Sequence, residues 1–513
     1  MCGTMKRIQV LRVLLPWWLF LLLIASPDTV SSSSPPVDPR VWDDTADGKV
    51  GQFLVVFKSQ ANVRVLAVRA PNHEAQGRVV VNALQETAVT AQSGARAQLD
   101  ALGVQYRAYW IVNALAVEGD RAVVEAMLAR ADVAAIESND PFRVALEPAR
   151  GAPQSVAAIE WNIGKVNAPA VWTKGYTGQG ITYANADTGV QWDHPALKPH
   201  YRGWNGTTAD HNFNWWDAIH TPVVGGSSCG YDLQVPCDDY PHGTHTLGTG
   251  VGDDGAGNQI GVAPGAQWIA CRNMDNGWGQ PSTYIECLQF LLAPTDLAGN
   301  NPDPNKRPDV IANSYDCNPT EGCAPHAMQV AVENLRAAGV FMAASAGNSG
   351  PNCSTVSTPP ALEAAASTVG ATGYMTDTIA AFSSRGPVTI DGSNRRKPDL
   401  VAPGVNIRSS LPTNGYGLGG GTSSASPHVA GAVALLWSAF PALRRNIDLT
   451  ENILAQSAVH LTTAQGCGGD TPTQVPNNVY GYGRLDALAA FNYAMSISPP
   501  SYKTFFPLVK HDK

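Results

Sequence analysis

Hydrophobic and polar positions divide the 513-residue chain into two patterned regions. In the first, residues 51–146, short apolar runs of strand length alternate with stretches whose apolar residues recur at helical spacing. Asp120 precedes one such stretch, where a helix N-cap belongs. The pattern predicts strands over 52–57, 109–117, 133–136 and 142–144, and helices over 82–102 and after Asp120. It predicts a small α+β domain, a ferredoxin-like split βαβ sandwich.

The second region, residues 159–495, alternates β-rich runs with helical ones. Strands are predicted over 181–186, 267–271, 309–312, 340–345 and 366–369, with helices such as 282–292 and 327–338 between them. This alternation predicts an α/β domain with a mostly parallel sheet covered by helices on both faces. In such sheets, functional groups gather beyond the carboxyl ends of the strands.

The segments outside these two regions have simpler patterns. Lys6, Arg7 and Arg12 precede an apolar run over 13–24, which is shorter than the about 20 residues that span a bilayer. Residues 1–31 are therefore predicted to be a secretory signal peptide, an uncleaved anchor being the alternative. Residues 32–50 and 147–158 are rich in small residues and Pro and are predicted linkers, and 496–513 are a terminal tail.

Composition narrows the classes of protein further. Apolar residues make up 44% of the chain and charged residues 15%, which favours a packed globular protein over a disordered one. A net charge of −8 disfavours a nucleic-acid partner. No later stretch is apolar enough to span a membrane, and we expect a secreted, extracellular monomer.

Cysteine usage agrees with export. Once Cys2 leaves with the signal peptide, eight cysteines remain, an even number that suits disulfide pairing in an oxidising compartment. The near pairs Cys229–Cys237 and Cys271–Cys287 are the predicted disulfides, and buried free thiols are the alternative. A zinc site is disfavoured because the sequence has no Cys-x-x-Cys pair.

Three segments carry the chemistry. Asp187 follows a predicted strand, His242 opens HGTH, and Ser423 lies in GTSSASPH before an apolar helix. Taken one at a time, the three segments have simpler interpretations: an Asp in a turn, a His242–His245 pair that binds a metal, and a loop that leads into a helix N-cap. Together they supply a nucleophile, a base and a residue that fixes the tautomer of the base. The order Asp, His, Ser is that of subtilisin, whereas an α/β-hydrolase would run Ser, Asp, His.

The blocks ADTGV, HGTHTLGT and GTSSASPHVAG resemble the signatures of the subtilisin-like serine protease (subtilase) family. GVAPGAQWIACRNM, SAGNSGPN and KPDLVAPGVNIRSS continue the likeness, which covers roughly residues 160–488. The resemblance implies a serine endopeptidase in which Asp187, His242 and Ser423 are catalytic. It also implies that Asn348, in SAGNSG, is the oxyanion-hole residue.

The same resemblance extends to the first region and to the substrate cleft. Residues 51–146 are similar to the family's propeptide, an inhibitor and folding chaperone, which implies self-cleavage within about 146–157. Two backbone segments and Gly347 are implied to bind substrate: Gly277, Trp278 and Gly279 as an edge strand, and Ser314, Tyr315 and Asp316 as the wall of the primary pocket. Ser-Tyr-Asp departs from the family's usual Ser-Leu-Gly or Ser-Trp-Gly, so the primary specificity stays open.

Partners and cofactors follow from the same resemblance. We expect protein and peptide substrates, the chain's own propeptide as inhibitor, and no cofactor for catalysis. Asp238 and Asp239, in the enlarged region between Asp187 and His242, would be available to a structural calcium ion, but no spaced ligand set is present, and a stabilised surface loop is the preferred interpretation. The alternatives are a sedolisin-type acid peptidase, which HGTH and SAGNSG disfavour, and a catalytically inactive binding module, although all four chemical positions are filled.

Overall fold

The computed structural model describes residues 35–143, 150–151, 158–224, 226–315, 323 and 325–497. The predicted signal peptide, the tail from residue 498 and most of the 147–158 linker lie outside the described residues. Where the sequence predicts a linker over 32–50, the structure has a short helix, α1, Pro39–Asp44. Asp38 caps this helix and Val41 is buried beneath it, so local capping and one apolar anchor order the segment.

The N-terminal region contains four antiparallel strands and three helices. In chain order they are β1 Gly51–Phe57, α2 Arg64–Arg69, α3 His73–Leu102, β2 Gln105–Tyr109, β3 Ala114–Gly119, α4 Arg121–Leu128 and β4 Val133–Ser138. The strands lie in the order β2-β3-β1-β4, which is the predicted ferredoxin-like arrangement. The predicted N-cap is correct, because the Asp120 side chain accepts from the Val123 N–H.

Two element boundaries in this region differ from prediction. The long helix α3 begins at His73 instead of residue 82, with Asn72 as its N-cap. The single strand predicted over 109–117 is a hairpin whose turn contains the buried Ile111 and Val112. The amides of Trp110 and Ile111 donate to Gln289 of the second region. An apolar turn that is buried against a neighbour gives no turn signal in the sequence.

The second region is built on a seven-stranded parallel sheet. Its strands, in spatial order, are β17 Leu400–Pro403, β16 Ser367–Thr372, β15 Phe341–Ser345, β14 Val310–Asn313, β8 Thr182–Asp187, β11 Gln267–Arg272 and β9 Trp215–Asp217. The helices of this region are α5 Trp161–Lys165, α6 Ala168–Trp172, α7 His242–Val251, α8 Pro281–Leu292, α9 Pro325–Ala337, α10 Thr422–Ala439, α11 Ile447–Ser457 and α12 Ala487–Ile497. The α/β prediction is confirmed.

Short strands complete the second region and its borders. They are β5 Phe142–Arg143, β6 Arg150–Gly151, β7 Ala158–Ile159, β10 Asn258–Gln259, β12 Met274–Asp275, β13 Trp278–Gly279, β18 Ile407–Leu411 and β19 Gly415–Gly419. The strand predicted over 142–144 is present as β5, but it pairs with β13 instead of the N-terminal sheet.

The two regions pack through the N-terminal sheet. Phe53 and Val55 on one face of β1 join the apolar core beneath α3 and α4. On the other face, Leu54 and Val56 join the cluster that contains Ile285 and Leu288 of α8. Both faces of β1 are therefore buried, which explains its almost continuous apolar sequence.

Disulfides tie the second region together. The predicted pairs Cys229–Cys237 and Cys271–Cys287 are present, so this prediction is confirmed. Cys353 pairs with Cys467, 114 residues away, and Cys323 is also disulfide-bonded. Within the described residues, the helices are all too short or too polar to cross a membrane.

Candidate active site

Asp187 and His242 form a direct pair at the carboxyl end of β8, an interior strand of the seven-stranded sheet. The Nδ1 of His242 lies 2.7 Å from Asp187 Oδ1, and both residues are buried. Asp187 also accepts from the Thr188 N–H at 2.8 Å and from the Thr246 hydroxyl at 3.2 Å. A carboxylate accepts only, so His242 carries its hydrogen on Nδ1 and leaves the Nε2 lone pair open. No described residue hydrogen-bonds that Nε2 atom.

Ser423 is the second residue of α10, behind Gly421 as N-cap. Gly421 has a φ of +114°, and a Cβ there would lie 2.9 Å from Ser423 Oγ. Glycine is therefore required both for the backbone conformation and for the close approach of the hydroxyl. The next amide, that of Ser424, donates to the Gly421 carbonyl, whereas no described residue accepts from the Ser423 N–H. That amide is one of the free donors of a helix N-terminus.

The side chain of Asn348 meets the same helix start. Its Oδ1 accepts from the Thr422 N–H at 2.9 Å and from the Thr422 hydroxyl at 3.0 Å. This fixes the amide orientation and turns the Nδ2 donors away from Thr422. Nδ2 lies 3.5 Å from the point where a Cβ on Gly421 would sit, so the Asn348 donor and the Ser423 hydroxyl flank one small space. Gly347 supports the contact by donating its N–H to Thr422.

His242 and the start of α10 meet across a small pocket. Ser424, the neighbour of Ser423, lines this pocket together with His242, His245 and Gly419–Gly420. The described structure contains no hydrogen bond between His242 and Ser423. Such bonds are often long in the absence of substrate and tighten when it binds. The structure thus brings Asp187 to His242, and Asn348 to the start of α10 beside Ser423, while His242 and Ser424 line a common pocket.

The ring of His245, the second histidine of the possible metal pair, is held by protein contacts of its own. Its Nε2 lies 2.9 Å from the Ile407 carbonyl, and its ring packs against Gly419. Burial lowers the pKa of His245 to about 4, so the ring is neutral. Among the described residues there is no group of three or more His, Cys, Asp or Glu that could hold a metal ion.

Asp238 and Asp239, the two acids weighed as calcium ligands against a stabilised surface loop, both have protein partners. Asp239 forms an ion pair with the fully buried Arg272 and accepts from the Asn276 N–H. Asp238 accepts from the Thr244 hydroxyl, and its Oδ1 lies 2.7 Å from the Thr188 hydroxyl oxygen. Sequence reasoning missed these threonines as functional neighbours, although Thr188 and Thr244 stand inside ADTGV and HGTH.

The predicted substrate strand, β13, is the middle strand of a three-stranded sheet in the structure. Trp278 and Gly279 pair with β12 on one side. On the other side they pair antiparallel with β5, so that Trp278 lies opposite Arg143 and Gly279 opposite Phe142. Gly277, with a φ of +80°, forms the turn before the strand. The segment that follows the N-terminal sheet therefore occupies the edge where a substrate strand was predicted.

The predicted pocket wall is only partly described. Ser314 Oγ lies 3.1 Å from Ser426 Oγ. Tyr315 is buried, and its ring stacks on Tyr284 with centroids 4.1 Å apart. The Tyr315 side chain thus belongs to the core instead of an open pocket. Asp316 lies outside the described residues.

After residue 143 the chain reaches a second strand pairing beside the proposed nucleophile. Arg150 and Gly151, in β6, pair antiparallel with Leu418 and Gly417 of β19, which leads directly into the Gly421 turn. The chain between the two pairings, residues 144–149, lies outside the described part. Sequence reasoning missed this second pairing, because nothing local in Arg150-Gly151 indicates a strand.

Comparison with known proteins agrees with this architecture. Residues 178–483 match the family model described as the subtilase family. Bacillopeptidase F of Bacillus subtilis (strain 168) is 35% identical over 475 residues, which are 85% of this chain and 31% of that protein. The segments EWNIGKVNAPAVW and APTDLAGN indicate this likeness in the sequence itself. The chain spans less than a third of the length of that relative.

Two shorter relatives match over most of their own length. Subtilisin E of Bacillus subtilis (strain 168) is 30% identical over 344 residues, 65% of this chain and 77% of that protein. A subtilisin of Bacillus pumilus is 30% identical over 308 residues, 58% of this chain and 94% of that protein.

Proposed function

Because the chain belongs to the subtilase family of serine endopeptidases, we propose that it hydrolyses peptide bonds in proteins with Ser423 as nucleophile, His242 as base and Asp187 as its partner. The observation that carries this proposal is the 2.7 Å pair of His242 Nδ1 and Asp187 Oδ1, with an open Nε2 beside the start of α10. That pair prepares an imidazole to remove a proton from a hydroxyl.

The chemistry follows the acyl-enzyme route. His242 Nε2 takes the Ser423 proton as Oγ attacks the substrate carbonyl carbon, and Asp187 stabilises the imidazolium that forms. His242 then gives this proton to the leaving amine as the C–N bond breaks. Water, deprotonated by His242, attacks the ester, and Ser423 recovers its proton when the acid product leaves.

The developing oxyanion would accept from two donors. One is the Asn348 Nδ2–H, oriented by the contacts of Oδ1 with Thr422. The other is the Ser423 N–H at the positive end of α10. Neither donor has to reorganise when the negative charge appears, because both are fixed by the fold.

Substrate would bind by strand addition along β13, the place that β5 occupies in this structure. Backbone pairing is independent of side chains and suits a broad range of proteins. Gly277, Trp278, Gly279, Ser314, Tyr315, Asp316 and Gly347 remain the proposed binding residues, with Tyr315 supporting the wall from within the core.

The N-terminal region is proposed to be a propeptide that inhibits the enzyme until it is cut. Before residue 144, β5 pairs with the proposed substrate strand β13. After residue 149, β6 pairs with β19, which leads to Gly421. We therefore propose that the self-cleavage lies within 144–149, a span that begins two residues before the 146–157 expected from the sequence and overlaps its early end. The chain would be exported and processed outside the cell.

The test compares the wild-type chain with Ser423→Ala. Wild type should hydrolyse casein, react with a fluorophosphonate probe and show a new N-terminus within 145–150. The Ser423→Ala chain should fold, stay unlabelled and remain joined. A folded wild-type chain that neither reacts with the probe nor cleaves casein would be an inactive binding module. A normally trimmed N-terminus in Ser423→Ala would assign the cut to another protease.

A further inference from the structure

Asp238 is not one of the proposed catalytic residues, but its carboxyl group contacts both the segment that contains Asp187 and the segment that contains His242. Its Oδ1 lies 2.7 Å from the hydroxyl of Thr188, the residue after Asp187. Its Oδ2 accepts from the Thr244 N–H at 2.9 Å, in the first turn of the helix that His242 opens. Asp238 therefore bridges the end of β8 and the beginning of α7.

If Asp238 is ionised, the Thr188 hydroxyl faces two acceptors with only one hydrogen to donate. The Thr188 oxygen accepts the Gly243 N–H at 2.9 Å. It also lies 2.6 Å from the Tyr240 carbonyl and 2.7 Å from Asp238 Oδ1, which are both acceptors when the carboxyl is ionised. A hydroxyl has one hydrogen and two lone pairs. It can donate to the Tyr240 carbonyl, but the remaining oxygen–oxygen contact then needs a hydrogen from Asp238.

We propose that Asp238 is a positioning residue held as a neutral carboxylic acid, which donates to Thr188 and thereby braces the Asp187–His242 pair. With that proton in place, every close contact of the Thr188 oxygen contains one hydrogen. Thr188 in turn donates its N–H to Asp187 and accepts the Gly243 N–H at the start of α7. A fixed Thr188 therefore helps to hold both members of the Asp187–His242 pair in place. This inference concerns the catalytic site of the proposed function and rests on it.

The surroundings of Asp238 favour the neutral form. Burial raises the pKa of Asp238 to about 7, the hydrogen bonds from Thr244 oppose this, and the nearby Asp187 carboxylate adds to it. The other ionisable groups on the adjoining segments are Tyr240, His242, His245, whose pKa is lowered by burial, and Asp239, which is paired with Arg272. Among the described residues no Arg, Lys or His forms an ion pair with Asp238.

Loss of this proton would change the site in a defined way. An ionised Asp238 places a second negative charge behind Asp187, where it stabilises the imidazolium that develops on His242 in the transition state. The wild-type enzyme should therefore gain transition-state stabilisation as Asp238 ionises. An Asn at this position imitates the neutral acid toward Thr188, because its N–H can donate to the Thr188 oxygen, but it loses the acceptor for the Tyr240 N–H, which lies 3.2 Å from Oδ1, and it can never supply the charge.

The first experiment measures stability, which does not depend on catalysis. The melting temperatures of the Ser423→Ala chain with and without Asp238→Asn are compared between pH 4 and 8.5. A folded-state pKa above that of the unfolded chain means that stability from Asp238 falls as pH rises from about 4 to 7. The melting temperature of the Asp238→Asn chain, relative to that of the Ser423→Ala parent, should therefore rise between pH 4 and 7, and the difference should stay constant above pH 7. A difference that is flat or moves the other way overturns the proposal.

Asp254→Asn is the matched control. Burial opposes the shift, but hydrogen bonds from Asn258 and Ala256 lower the pKa of Asp254, so its contribution has the opposite sign. The melting temperature of the Asp254→Asn chain, relative to that of the Ser423→Ala parent, should fall as pH rises. If the Asp238→Asn chain fails to fold, carboxyl-carbon resonances of aspartate-labelled Ser423→Ala chain replace it. One resonance that moves with Thr188→Val should titrate near neutral pH, and a shift confined to the region below pH 5 overturns the proposal.

The second experiment measures the pH profile of kcat/KM in otherwise wild-type enzyme. The ratio of Asp238→Asn to wild type should fall steadily between pH 6 and 9, as wild type gains the charge that the variant lacks. A merely structural residue would lower the ratio equally at all pH values, and such a flat ratio overturns the role in catalysis. If wild type itself shows no peptidase activity, the proposed function fails, whereas the stability experiment still decides the state of Asp238.

Discussion

Phe142 lies against Tyr284, with the two ring centroids 5.5 Å apart. Phe142 is opposite Gly279 in the antiparallel pair of β5 and β13, and it is 2% exposed. A Cβ on Gly279 would clash with the Tyr284 ring, so the glycine allows the close packing of this ring beneath the strand. The segment that occupies the proposed substrate edge is thus anchored by an aromatic side chain.

The first prediction is that substrates with Phe at the position opposite Gly279 are preferred over those with Ala. Burial of a phenylalanine side chain contributes about 1.5–3 kcal/mol, so kcat/KM of the processed enzyme should be roughly 10- to 100-fold higher for the Phe peptide. Tyr284→Ala should reduce this ratio. As a control, the ratio for Arg against Ala at the next position, opposite Trp278, should not respond to Tyr284→Ala. An unchanged Phe-to-Ala ratio in Tyr284→Ala would contradict the contact.

The second prediction concerns Gly421 and its neighbour. A methyl group on Gly421 would lie 2.9 Å from Ser423 Oγ, and the φ of +114° is strained for any residue with a Cβ. Displacement of the nucleophile should lower kcat by on the order of 10² or more in Gly421→Ala. Gly420→Ala is the control, because its Cβ would lie no closer than 3.5 Å to any atom outside its immediate chain neighbours. Equal activities of the two variants would contradict the role of Gly421.

Sequence patterns predict those parts of the fold whose side chains face one buried layer. The strands that end at Asp187 and Ser345 are continuous buried runs, and their predicted bounds agree with the structure to within one residue. The ADTGV, HGTHTLGT and GTSSASPHVAG blocks identify candidate chemistry because each joins a reactive residue to glycines, at the end of a strand in the first block and at a helix start in the other two. The family prediction is confirmed by the match over residues 178–483.

Other features depend on contacts between segments far apart in the chain and have no local signal. The pairing of Phe142 with Gly279 joins strands 137 residues apart. Tyr315 faces the core because Tyr284 stacks on it, which a three-residue motif does not reveal. Asp238 is recognisable only once Thr188 and Thr244 are seen on either side of its carboxyl group.

The third prediction separates two roles of Asn348. Asn348→Asp keeps the acceptor for the Thr422 N–H but removes the N–H donor and adds a negative charge. Turnover should fall on the order of 10²–10³, the size measured when one oxyanion donor is removed from subtilisin itself, with the melting temperature preserved. Asn348→Ala should lose turnover and also about 1 kcal/mol of stability, because the Thr422 contacts disappear. Full turnover in Asn348→Asp would remove Asn348 from the oxyanion hole.

The fourth prediction is that acid weakens the folded precursor at His73. This residue begins α3, its Nε2 lies 3.6 Å from Asp309 Oδ1, and its carbonyl accepts from Arg307. Burial, followed by the nearby Arg307 and Arg444 guanidinium groups, lowers the pKa of His73 to about 2. The unfolded chain binds a proton near pH 6.5, so stability is lost as pH falls below that value.

In the Ser423→Ala chain, this loss should reach about 2 kcal/mol at pH 5 relative to pH 8. The His73→Gln chain, whose side chain cannot be protonated, should lose about 2 kcal/mol less stability than its parent between pH 8 and pH 5. The measurement is the free energy of unfolding from urea titrations at both pH values. His460→Gln, at an exposed position, serves as the control and should follow its parent. If His73→Gln also follows its parent, the buried imidazole is not responsible for the acid sensitivity of the precursor.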